Sequence, residues 1–108
     1  MSKFLAVFTG GGGGAAPDAD TIGRGMAAWS AWMTRHADKI VDTGGPLGKN
    51  RRVSKAGVQD ASNTMAGYVI VEADDAEAAA RMFESHPQFT IFPGDGVDVM
   101  PVLPIPGG

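Results

Sequence analysis

The sequence predicts an α+β domain, and three observations predict it. Two short segments, residues 3–9 and 67–72, are rich in strand-forming residues and apolar on both faces, the pattern of strands covered from both sides. Two longer segments open on acidic residues suited to cap a helix, Asp18 or Asp20 in the first and Asp74 or Asp75 in the second. The order along the chain is strand, helix, one or two strands, strand, helix, strand, which is a ferredoxin-like split β-α-β arrangement. At 108 residues there is room for one core, so residues 1–108 are expected to form a single domain.

In the first strand, Phe4, Ala6 and Phe8 share one face while Leu5 and Val7 share the other. Five consecutive glycines, Gly10 to Gly14, end it, and residues 10–19 are expected to form a flexible loop. The first helix is expected to run to about Lys39. Its apolar stripe is Ile22, Met26, Trp29, Met33, His36 and Ile40, spaced 4, 3, 4, 3, 4, with Trp32 widening it. Gly44-Gly45-Pro46-Leu47-Gly48 cannot continue a helix.

Beyond it, residues 51–54 suggest a weak exposed strand, and residues 60–64 a polar turn. Gly67 to Glu72 is the strongest central strand. The second helix is expected to reach about Ser85, closed by His86-Pro87, and residues 97–103 form the last strand before a tail at 104–108. Two helices can cover only one face of a four-stranded sheet. The second face is apolar too, so the predicted architecture is a dimeric α+β barrel, a homodimer formed sheet to sheet.

Composition narrows the function. Hydrophobic residues make up 44% and charged residues 19%, ordinary for a globular chain. The net charge is −3, and the one basic cluster is Lys49, Arg51, Arg52 and Lys55. Four cations with no interleaved aromatic are a thin footprint for nucleic acid, which is not an expected partner. The absence of cysteine removes disulfides and thiolate metal sites. The N-terminal apolar run is too short for a signal sequence and no segment is long enough to span a bilayer. A cytoplasmic location without a membrane partner is expected.

Few residues suggest chemistry. His36 lies on the helical stripe four residues after Trp32, with Asp42 shortly beyond. An imidazole held against aromatics and oriented by a carboxylate suits a general base; equally, a histidine near a helix C-terminus is favoured by the helix dipole alone. His86, before a proline, reads as a capping residue. Two histidines fifty residues apart are not a metal signature, and no metal or cofactor is expected. Residues 44–50 imitate a phosphate loop only superficially, since Asn50 stands where Ser or Thr belongs and no helix follows. Trp29, Trp32 and Met33, together with Phe83, Phe89 and Phe92, are candidates to line a small-molecule pocket or to form plain core.

Several segments together resemble YCII-related (DGPF-type) domains. They are Met26-Ala-Ala-Trp29-Ser-Ala-Trp32, then Asp42-Thr43-Gly44-Gly45-Pro46-Leu47, then Met65 to Ala79, ending at His86-Pro87. The match spans roughly residues 3 to 103. The resemblance implies a ferredoxin-like fold and a dimer; it also implies, for some members, an enzyme acting on aromatic ring compounds and, for some, a His–Asp pair regarded as catalytic. Ala28 occupies the helix position where those members keep the histidine, and Val58-Gln59-Asp60-Ala61 stands near the place of the DGPF signature, with Asp60 as its one surviving acid. The leading expectation is therefore a YCII-like dimeric α+β barrel protein of unassigned activity with a pocket for a small molecule, aromatic compounds being one class it could take. One alternative is a lyase- or hydrolase-type enzyme pairing His36 with Asp42 or Asp60. The other is a non-catalytic module that binds a ligand or a partner.

Overall fold

The structure, a computed structural model, describes residues 1–10 and 17–106. The expected glycine-rich loop and the end of the tail therefore fall largely outside the described residues. The elements are β1 (Ser2–Gly10), α1 (Ala19–Arg35), β2 (Ile40–Pro46), β3 (Asn50–Ser54), β4 (Gly57–Ala61), β5 (Met65–Ala73), α2 (Ala76–Arg81), α3 (Pro87–Thr90) and β6 (Gly94–Pro101). Four strands make one antiparallel sheet in the order β2-β5-β1-β6. With helices against one face, this is the ferredoxin-like α+β fold that the element order predicts.

The two apolar-on-both-faces strands, β1 and β5, occupy the middle of the sheet, where both edges and both faces can be satisfied. Phe4, Ala6 and Phe8 pair across from Val71, Val69 and Gly67. With Trp32, Ala73, Ala79 and Phe83 these residues make the buried core, and Trp29, Met33, Ile40, Met82, Val97 and Val99 pack around it. The opposite face places Leu5 between Ile70 and Met100, and Val7 between Tyr68 and Asp98. Val7 is only 8% exposed yet lies outside the main cluster, whereas Met100 is 38% exposed. No helix covers this face among the described residues.

Asp18 caps α1 by accepting from the Thr21 amide at 2.8 Å, and Asp75 caps α2 through the Ala78 amide, each removing one free donor. Both caps come from the expected acidic pairs. Helix α1 ends earlier than expected, at Arg35, with His36 as its C-cap. Its packing face is also rotated from the expected stripe. Ile22 and Met26 are 45% and 59% exposed, while Gly25 and Trp32 are the buried positions. The physical reason is Phe92: a Cβ on Gly25 would overlap its ring, so the missing side chain lets the helix approach the segment before β6.

The middle of the chain departs further from expectation. The segment read as a polar turn from Asp60 contains the end of a strand. β3 and β4 form a separate five-pair hairpin, from Asn50 opposite Ala61 to Ser54 opposite Gly57, turning at Gly57 with φ +98°. Two of the four clustered cations share one acid there, Lys49 and Arg51 lying 3.6 and 2.9 Å from the Asp60 carboxylate. His86-Pro87 does not end a helix but starts one, α3, with Pro87 in the first position. Proline is favoured there because its missing N–H has no partner to lose.

Candidate functional site

A cavity of about 500 Å³ opens between the N-terminal half of α1 and the end of the sheet where β1 finishes. Phe8 forms its floor, Met26 and Trp29 come from α1, and Phe92, Pro93 and Gly94 close it from the α3–β6 connection. The far side is built by Thr43, Gly45 and Pro46 of β2 with Ala66, Gly67 and Tyr68 of β5. Gly44 lets these strands meet so closely: its φ is +63°, and a Cβ there would run into the Tyr68 carbonyl. The Asp42 carboxylate fixes that bend by accepting from the Gly44 amide at 2.8 Å.

The lining is largely aromatic and aliphatic. Its side chains with polar atoms are Trp29, Thr43, Tyr68 and Gln88, and no Asp, Glu, Lys or Arg is among the described lining residues. A volume of this size suits one small organic molecule.

Behind the cavity lies a cage of rings around His86, which is 0% exposed. Its ring centroid is 4.9 Å from Phe8, 4.6 Å from Trp29, 4.9 Å from Trp32 and 5.9 Å from Phe83. Nδ1 accepts from the Gln88 amide at 3.0 Å. Burial, and to a lesser degree the nearby His36, push the His86 pKa down to about 4, so the ring is neutral at pH 7. With Nδ1 serving as acceptor, the proton must sit on Nε2. Nε2 is buried and has no hydrogen-bond partner among the described residues. The strained neighbour Ser85, at φ 57°, is clamped by Thr90, whose hydroxyl donates toward the carbonyls of Ser85 and His86 at 3.2 and 2.9 Å.

The sequence candidates are placed apart from one another. His36 is half-buried at the end of α1, stacked 4.9 Å from Trp32; burial first, then Arg35, lowers its pKa, against a smaller opposing effect of Asp38. Asp42 is exposed and bonded to Gly44, and Asp60 is engaged by Arg51 on the separate hairpin. Among the described residues, no hydrogen bond or ion pair joins His36 to either acid. Of the pocket candidates, Trp29 and Phe92 line the cavity. Trp32 instead donates its indole N–H to the Met82 carbonyl at 2.7 Å within the core, and Met33 packs against that core. The described residues contain no group of three or more His, Cys, Asp or Glu arranged to hold a metal.

Phe8, Gly67, Thr43 and Gln88 were not singled out by sequence. One signal pointed toward part of the site: a histidine followed by proline is as good a helix start as a helix end.

No protein-family model matches this sequence. No curated protein matches it either. Among solved structures, the chain is similar in fold to 5-chloro-2-hydroxyhydroquinone dehydrochlorinase (TftG) from Burkholderia phenoliruptrix AC1100, in complex with 2,5-dihydroxybenzoquinone. The two share 19% identity, the similarity covers 90% of this chain and 89% of that one, and the TM-score is 0.53. The likeness is one of fold. Among the described residues, no helix is long and apolar enough to cross a membrane.

Proposed function

We propose that this chain binds a neutral, single-ring aromatic molecule in the cavity between α1 and the sheet. The observation that carries the reading is the lining: Phe8, Trp29 and Phe92 offer ring faces, Thr43 and Gln88 offer hydrogen bonds, and no described lining side chain is charged. Aromatic walls favour a flat ligand. An ionised ligand would lose its hydration with no counter-charge to replace it. The similarly folded dehydrochlorinase holds a single-ring compound, which supports a one-ring ligand here.

The ordered motifs from Met26 to Pro46 and from Met65 to Pro87, taken with the fold, support placing the chain among YCII-related domains. The half-covered sheet face around Leu5, Ile70 and Met100 supports a homodimer formed sheet to sheet. A lyase- or hydrolase-type reaction through His36 and an acid finds no bonded pair to support it, so ligand binding is the reading put forward.

Titration with acetophenone, followed by tryptophan fluorescence and amide NMR shifts, tests the proposal, with benzoate as the charged comparator of similar size. Acetophenone should bind and benzoate should not. Trp29→Ala should weaken binding about tenfold. Equal affinity for both compounds, or no loss in the Trp29 variant, would refute the reading.

A further inference from the structure

His86 is an unusual residue to bury. A leucine or phenylalanine in the same aromatic cage would carry no polar atom, whereas His86 brings a donor, Nε2–H, that is paired with nothing among the described residues. Leaving such a donor unpaired has a real cost in stability, and the surrounding rings offer at most a weak N–H···π contact. The ring cannot rotate cheaply to hide the problem, because Nδ1 is held by the Gln88 amide at 3.0 Å. Nε2–H is thus fixed in tautomer and direction by the start of α3.

Its position relative to the cavity gives the unpaired donor a use. Three of the residues that touch His86 also line the cavity: Phe8 and Trp29 by ring contact, and Gln88 by the bond to Nδ1. Trp29 is half-buried, stands at 88° to the imidazole and lies 4.6 Å from it. Trp29 thus touches both the cavity and the imidazole, and a turn of this side chain would open a path between them. The cavity's own polar side chains are an indole, a hydroxyl, a phenol and an amide. The imidazole donor differs from these in being wholly buried and without a partner among the described residues.

We propose that His86 Nε2–H is the hydrogen-bond donor that recognises the ligand, and that the ligand class is accordingly a neutral aromatic ring bearing a carbonyl oxygen. This rests on the cavity being the binding site. The ligand turns the Trp29 indole away from the imidazole, its ring packs against that indole, Phe8 and Phe92, and its carbonyl oxygen accepts from Nε2. No proton is transferred, and the imidazole stays neutral.

The test pairs two neutral compounds of like shape, acetophenone with its carbonyl and isopropylbenzene without one. In the wild-type protein, NMR of the histidine ring should show the His86 Nε2–H proton moving downfield on adding acetophenone and staying in place with isopropylbenzene. In His86→Phe, affinity for acetophenone should fall about fivefold to tenfold, and affinity for isopropylbenzene should stay within about twofold; comparing each compound with itself removes their different water solubility. If the variant does not fold, the wild-type ring signal decides alone. Acetophenone shifting the Gly67 and Gln88 amides while the His86 ring signal stays fixed would overturn this inference and leave the cavity reading standing. Equal losses for both compounds in the variant would do the same. Failure of both compounds to shift any cavity residue would overturn the cavity reading and this inference with it.

Discussion

Acidification should unfold this protein earlier than its carboxylates alone would cause, because His86 must be buried neutral. The folded-state pKa is pushed down to about 4 by burial, against about 6.5 for a free histidine. A group whose folded pKa is depressed adds stability above its unfolded pKa and loses it as pH falls. Here the contribution is complete above about pH 6.5, declines through the interval down to about 4, and is gone below. Its full size is roughly 3 kcal/mol, of which about 2 kcal/mol should be lost by pH 5. His36 acts in the same direction but is half exposed, so solvent screening makes its share smaller. Asp18, held low by its bonds to Thr21, loses its contribution only below the ordinary aspartate range. Urea unfolding followed by tryptophan fluorescence at pH 7.5, 6, 5 and 4.5 measures the slope. His86→Phe is the control: it gives up the Gln88 amide bond, worth about 1 kcal/mol as a lost cap, but should flatten the dependence between pH 6.5 and 4.5. An unchanged slope in the variant would refute the assignment of that window to His86.

Other substitutions report on the packing and the assembly. Gly23 and Gly25 sit two residues apart in α1 with opposite expectations. Nothing lies within 4 Å of a Cβ on Gly23, so Gly23→Ala should stabilise by up to about 1 kcal/mol through helix propensity, while Gly25→Ala should destabilise by about 1–3 kcal/mol through overlap with Phe92; thermal melts of both variants check the pair. Ser85→Gly should raise stability by up to about 1 kcal/mol by relieving the left-handed backbone at φ 57°, read as a higher urea midpoint. In sedimentation velocity the wild type should run as a dimer, and Leu5→Glu on the open sheet face should run as a folded monomer.

How much of this was legible in the sequence depends on how local the governing physics is. β1 and β5 were readable because strands apolar on both faces belong in the middle of a sheet. The caps at Asp18 and Asp75 were readable because capping is decided within three residues. The face of α1 was misread because hydrophobic spacing counts Ile22 and Met26 but cannot see that Gly25 is where Phe92 fits. α3 was hidden because a helix stop and a helix start look alike at His86-Pro87. β4 was missed since Gly57 to Ala61 has little apolar content and forms only by pairing with β3. The cavity draws on five separated segments, and its walls depend on close approaches at Gly25, Gly44 and Gly94 that only the tertiary structure defines.

Whether a neutral aromatic molecule is held between α1 and the sheet can be read by mapping acetophenone onto the wild-type protein with amide and indole NMR shifts. Shifts should concentrate at Ala66, Gly67, Gln88, Gly94 and the Trp29 indole and saturate with a single affinity. Shifts centred instead on Leu5 and Ile70 of the open sheet face, or none at all, would contradict it.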